Sequence, residues 1–187
     1  MALEANEVSS AVSGAISKIA ADYAVTSANQ DISEDAGTVN YGFATTDGIT
    51  VSTDRSTNKI VAWQNSSVVR VTSTEASVTY KFTLMQNNIA TRELYFGAKE
   101  VNGKIEWKPN AMARGRFVLD YVDNEYGGGD EVLFGRHLIN RGVVTDIGDL
   151  VYQGGEPVGY EITVTAFPDA NGVCAEVFHG VESLLGS

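Results

Sequence analysis

The chain has 187 residues, 43% of them hydrophobic, which suits a single domain that buries a substantial core without metal or disulfide staples. Twenty-four Asp and Glu outnumber thirteen Lys and Arg, for a formal net charge of -11, which argues against a phosphate-binding surface and against nucleic-acid binding. The single cysteine, Cys174, excludes an intrachain disulfide framework and fits folding in a reducing cytoplasm. Glu4 and Glu7 precede the first basic residue, Lys18, the wrong charge order for a secretory signal. No apolar run approaches the ~18 to 20 residues of a membrane span, so no membrane is expected.

Three prolines and nineteen closely spaced glycines predict strands joined by turns. In chain order, residues 8–19 are rich in Ala, Ser and Gly and read as an edge strand in preference to a poor helix. Residues 53–74 are polar apart from Trp63 and two short apolar pairs, and predict a loop or an extended hairpin. A connection of that length inside a compact domain usually has a function. At 77–84, Val78, Tyr80, Phe82 and Leu84 alternate with Ser77, Thr79, Lys81 and Thr83, the period of a strand with one buried face.

A helix is predicted at about 88–99, capped by Asn87 or Asn88, with Ala90, Leu94 and Ala98 on one face and Gly97 near its end. Trp107 reads as a strand residue packed on the core. A second strand passes through Phe117, Leu119 and Tyr121, with Arg116, Val118, Asp120 and Val122 on its other face. Arg114 and Arg116 read as solvated side chains on a strand edge. Apolar residues recur through 131–152, where Gly135, Gly142 and Gly148 mark bends or bulges within paired strands. A third strand alternates Tyr160, Ile162, Val164 and Ala166 with Glu161, Thr163 and Thr165.

The residues that could carry chemistry do not assemble into a pattern. His137 and His179 lack a second ligand at a zinc spacing and read as structural or solvated. Cys174, in the alternating run 173–178, has no partner base and reads as a buried inert thiol. Gly127, Gly128, Gly129 and Asp130 are followed by neither a Walker lysine nor a dinucleotide fingerprint, so they predict a flexible turn. The nearby acids Asp120, Asp123, Glu125, Asp130 and Glu131 lack the ligand order of a calcium loop. No catalytic residue, metal or cofactor is therefore expected, and an enzyme is the weakest reading. Trp63 suits a core anchor of its hairpin and a hot spot offered to another subunit equally well.

The order of elements carries a resemblance. Asp47-Gly48-Ile49-Thr50-Val51, the run 54–65, Val69-Arg70, a strand ending in Phe82-Thr83-Leu84, and a helix closing with Glu93-Leu94-Tyr95-Phe96-Gly97 resemble the major tail tube proteins of long-tailed, siphovirus-type bacteriophages. The phages of actinobacterial hosts are the nearest in kind. The likeness is strongest over residues 47–97.

The resemblance implies a mainly β fold, a β-sandwich or barrel-like domain with one flanking helix and a long inter-strand loop at about 53–74. It also implies self-assembly into hexameric rings stacked as a hollow tube, with a tape measure protein, a tail terminator and tail-tip proteins as partners. DNA would pass through without specific binding, and carboxylates facing the channel would repel it. The protein would sit in the virion tail after assembly in the host cytoplasm. One tail tube domain would span 1–187, with small polar ends at 1–8 and 183–187 of the kind often mobile in a free subunit.

On this reading Arg55, Asn58, Lys59, Trp63, Gln64, Asn65 and Arg70 are candidates for contact between rings or subunits, and Asp120 and Glu161 are candidates for the lumen. The alternatives are a ligand- or carbohydrate-binding β-sandwich module and another tail or injection-system tube component. An exposed aromatic row would favour the binding module, but Trp63 and Trp107 stand far apart in the sequence.

Overall fold

The computed structural model describes residues 11, 13–32, 37–61, 68–124, 126, 130–155 and 157–183. Its elements are β1 (Ser13–Ile19), β2 (Val39–Asn40), β3 (Ala44–Val61), β4 (Val68–Leu84), α1 (Ile89–Phe96), β5 (Glu100–Val101), β6 (Lys104–Ile105), β7 (Arg114–Asp123), β8 (Glu131–Ile147), β9 (Tyr160–Ala166) and β10 (Glu176–Ser183). The fold is mainly β with one helix, and every pairing within the main sheet is antiparallel.

The strand order is β2-β1-β7-β8-β9-β4-β3, with β10 also paired to β8. The sheet curls until β1, next to the end strand β2, comes into contact with β3 at the other end. Its hinge is β8, a strand of 17 residues that replaces the several paired strands expected over 131–152. One edge of β8 serves two partners, since Leu138 lies opposite Glu176 of β10 whereas Val144 lies opposite Val164 of β9. Register shifts opposite Gly115/Phe117 and between Val144 and Asp146 give the local twist that lets one strand belong to both halves. Gly142 is required there, because a Cβ would lie 2.5 Å from the Phe117 ring.

Period-two patterning decides which face is buried. Tyr80, Phe82 and Leu84 of β4 stand opposite Val164, Ile162 and Tyr160 of β9, and all six are nearly inaccessible. They join Ile16, Phe117, Leu119, Ile139 and the helix residues Leu94 and Tyr95 in the main core. A smaller cluster of Ile19, Ile32, Val118 and Leu138 lies on the opposite face of β1, β7 and β8, with Tyr23 and Val25 packed on it.

The polypeptide of residues 20–32 is pinned over that second cluster by two arginines. Arg136 Nε and Nη2 donate to the Asp120 carboxylate at 2.6 and 2.9 Å, and its Nη1 donates to the Ser27 carbonyl at 3.1 Å. Arg116 donates to Asn140 Oδ1 at 2.9 Å and to the carbonyl of Tyr23. Arg116 is thus a structural strut in an inner strand, where the sequence suggested a solvated side chain on an edge.

Helix α1 is shorter than the expected 88–99. Asn88 Oδ1 accepts from the Thr91 amide at 2.7 Å, which fixes the start, and Gly97 adopts φ 64°, which ends the helix before Ala98. Arg92 then pairs with Glu100 at 2.6 Å. Trp107 lies outside any strand and 60% exposed, with its ring 5.3 Å from Phe96, so it is not the core strand residue the sequence suggested. Cys174 precedes β10 and is half-buried against the main core, less enclosed than expected.

Candidate assembly surfaces

Of the two readings of 53–74, loop or extended hairpin, the structure takes the second: an extended two-stranded ribbon on both sides of residues 62–67. β3 and β4 pair from Ile49 opposite Phe82 out to Val61 opposite Val68. Alternating Thr, Ser and β-branched residues favour extended backbone, and opposing main-chain groups satisfy one another, which an irregular loop of this length would not achieve. β9 accompanies β4 only between Val78 and Leu84. Beyond Thr53 and Val78, each strand of the ribbon has only the other beside it among the described residues. The eight residues from Asp54 to Val61 extend it by roughly 25 Å at the rise of a strand.

Four of the sequence candidates can be placed on this ribbon. Arg55, Lys59 and Arg70 are exposed. Arg55 and Lys59, an even number of residues apart, share one face, whereas Arg70 lies opposite Ile60 and shares the other. Asn58 stands at the register position opposite Thr72. Trp63, Gln64 and Asn65 lie outside the described residues. The ribbon therefore brings the basic candidates onto one structure without gathering them into one patch.

Sequence reading missed an electrostatic contrast. The ribbon beyond Thr53 and Val78, residues 54–77, contains Arg55, Lys59 and Arg70 against Asp54 and Glu75, a net of +1, so the rest of the chain carries 22 acids against 10 bases, or -12. Counting acids within the window would have revealed it. An arm with three basic residues and a net of +1 on a body of -12 has opposite charge to a second copy's body.

Two long strands also end the sheet with a free edge among the described residues. β3 is last in the strand order, and β10 is bordered by β8 alone. Such edges invite pairing with another chain unless something covers them.

The two lumen candidates lie on the same side of the sheet in different surroundings. Glu161 is half-exposed and pairs with Lys81 at 3.0 Å. Asp120 is held by Arg136 and lines a small recess with residues of the 20–32 cover, including Ala28 and Ile32. Neither carboxylate is an uncompensated charge. At the other face a solvent-open cleft of about 530 Å³ is lined by residues including Ile16, Ile49, Tyr80, Leu119, Tyr121 and His137. The His137 ring stacks edge-on to Tyr80 at 5.7 Å, and burial, with a smaller contribution from nearby His179, holds its pKa below the ordinary imidazole value.

Among the described residues, no group of three or more His, Cys, Asp or Glu could hold a metal ion. No helix among them is long and apolar enough to cross a membrane. The distinguishing features among the described residues are open strand edges and an unsupported charged arm, features of a structural protein more than of a catalyst. The family model described as phage tail tube protein matches residues 1–179, and the chain belongs to that family. It is therefore a non-enzymatic structural component of a phage tail. No curated protein matches it. A solved chain from the tail of an empty GTA particle, computed with helical refinement and C6 symmetry, shares 10% identity at a TM-score of 0.38 over 88% of this chain and 93% of that one, too loose a likeness to inform assembly.

Proposed function

We propose that this tail tube protein polymerises as stacked hexameric rings into the hollow conduit of a siphovirus-type tail, through which DNA leaves for an actinobacterial host. The rings assemble in the host cytoplasm, with a tape measure protein, a tail terminator and tail-tip proteins as partners. The observation that carries this reading is the unsupported ribbon, which bears Arg55, Lys59 and Arg70, on an acidic body. A lone two-stranded hairpin is marginally stable in water, so the outer ribbon needs a surface to lie on. The -12 body of a copy in the next ring supplies both the surface and the opposite charge. Arg55, Asn58, Lys59, Trp63, Gln64, Asn65 and Arg70 then form the contact between rings, while the β3 and β10 edges close each ring. Glu161 faces the lumen, with Asp120 on the same side of the sheet but partly under cover.

Negative-stain electron microscopy of the purified protein, with sedimentation over a concentration series, tests this. Hollow rings or tubes are expected, and the variant R55E/K59E/R70E should remain folded and fail to stack. Tubes of normal length from that variant would overturn the inter-ring assignment.

A further inference from the structure

Four rings meet beside the solvent-open cleft. Side chains alternate along β8, so Gly135, His137 and Ile139 look to the same side as their opposites Tyr121, Leu119 and Phe117 on β7. On β10, Val177 stands opposite His137 and His179 opposite Gly135, which makes the two imidazoles diagonal neighbours across the β8–β10 ladder. Each is met by a phenol: the Tyr80 hydroxyl lies 3.3 Å from His137 Nδ1, and the Tyr121 hydroxyl lies 3.4 Å from His179 Nδ1. Gly135 makes the second contact possible. A Cβ there would lie 2.0 Å from the Tyr121 ring, so the ring crosses β8 at a position without a side chain and reaches from β7 to β10.

This arrangement suits neutral imidazoles. With the ring proton on Nε2, each Nδ1 accepts from its phenol. A proton added at Nδ1 turns that nitrogen into a donor, and the phenol hydrogen must find another acceptor; Tyr80, at 1% exposure, has little access to water as a substitute. The added charge also lacks a counter-charge at hand. The described lining of the cleft holds no Asp, Glu, Lys or Arg. His137 is faced by Tyr80 of β4, Leu119 and Tyr121 of β7, and Val177 and His179 of β10, with Cys174 packed on the adjoining core. The charged groups on the same side stand farther along their strands: Lys18 beyond Ile16 on β1, Asp47 between Thr46 and Gly48 and Arg55 beyond Val51 on β3, Asp123 beyond Tyr121 on β7, and Glu131 at the start of β8. Glu176 and Glu182 of β10 and the Asp120–Arg136 pair look to the opposite side.

We infer that Tyr80, Tyr121, His137 and His179 form an acid-sensitive latch on β10: while both imidazoles are neutral the four rings tie β10, across β8, to β7 and β4, and proton uptake below neutral pH releases β10 while the rest of the subunit stays folded. This device goes beyond the tube reading and does not depend on it. β10 is the part that yields because β8 alone borders it and most of its residues are exposed. Its remaining hold is the β8 ladder and Phe178 on the smaller cluster. Burial first, and His179 second, keep the His137 pKa below the ordinary imidazole value, the direction in which protonation opposes the folded arrangement.

Hydrogen exchange of free subunits at pH 7.5 and pH 5, with each amide rate divided by the unstructured-chain rate at the same pH, tests the latch. Protection of the β10 amides should fall by about tenfold or more between the two conditions, while that of the β9 amides changes by less than about twofold. The variant H137Q/H179Q should keep its β10 protection at both. Unchanged wild-type protection of β10 at pH 5 would overturn the inference, as would an equal fall in the double variant. Equal losses in β9 and β10 would mean that acid opens the whole subunit, which overturns it as well. Should the double variant fail to fold, H179Q alone, on the edge strand, carries the test: its β10 protection must fall less than that of the wild type. Free subunits suffice throughout, so the outcome is separate from whether tubes form.

Discussion

The β3–β4 hairpin is one pair of strands living in two environments. At its base Tyr80, Phe82 and Leu84 are sealed between β9 and the core, with exposures of 1%, 3% and 0%. Along its outer half the strands keep the same ladder, yet Arg55, Lys59 and Arg70 point to water and Ile60 is 49% exposed. Pairing between β3 and β4 is common to both halves, with register shifts at Ser56/Thr57 and Ile60/Val61; burial, and the pairing of β4 with β9 at the base, distinguish them. The base is held by the subunit that contains it, and the outer half has to be held by something else.

That contrast can be broken at four points. The largest effect is expected at the base: Phe82→Ala should cost about 3–5 kcal/mol in denaturant unfolding of the free subunit, as removal of a buried ring leaves a cavity. Gly142→Ala, which pushes a methyl into the Phe117 ring, should cost about 1–3 kcal/mol in the same measurement. A smaller effect concerns His137. Its folded-state pKa is depressed, mainly by burial, so the unfolded chain binds the proton more readily. The associated stability is fully present above the unfolded value of ~6.5 and is lost as the pH falls below it. Thermal melts from pH 7.5 to 5 should therefore show the wild type losing ground to His137→Gln; parallel curves would mean that His137 does not shape the acid response. The ribbon variant R55E/K59E/R70E should change subunit stability least, within about 0.5 kcal/mol, because the altered side chains are exposed. A large loss there would mean that the outer half belongs to the body after all.

Where burial has a simple period, the sequence is readable. The alternation in 160–166 matches β9 from end to end, and that in 77–84 matches the buried part of β4. The cap at Asn88 and the stop at Gly97 follow from residue types that terminate helices. Strand β8 is harder to read, because it is buried on different faces along its length and its glycines look like turns until Phe117 is seen lying against Gly142. The two-residue strands β2, β5 and β6 are too short to carry a period.

Among the site candidates, the basic ribbon residues can be named from sequence, but their division between two faces depends on register. The partners of Asp120 and Glu161 lie 16 and 80 positions away in the chain, at Arg136 and Lys81. Nothing local marks such pairs, so two carboxylates that look free in the sequence prove to be compensated. The resemblance is strongest over 47–97, whereas the family match runs over 1–179. The hairpin and helix carry the recognisable order, and the later strands are recognisable only as strands.

The unbroken run of β8 through both halves of the sheet also has a mechanical meaning. It acts as a spar: a load on the β10 side passes along one continuous strand, through the irregularities near Gly142 and at Val144/Asp146, to the β9 side. β8 is paired along both edges, whereas the two-stranded arm beyond Thr53 is held by a single ladder. If such units stack in rings as proposed, curvature would be taken up between rings and the bore of each ring would keep its shape.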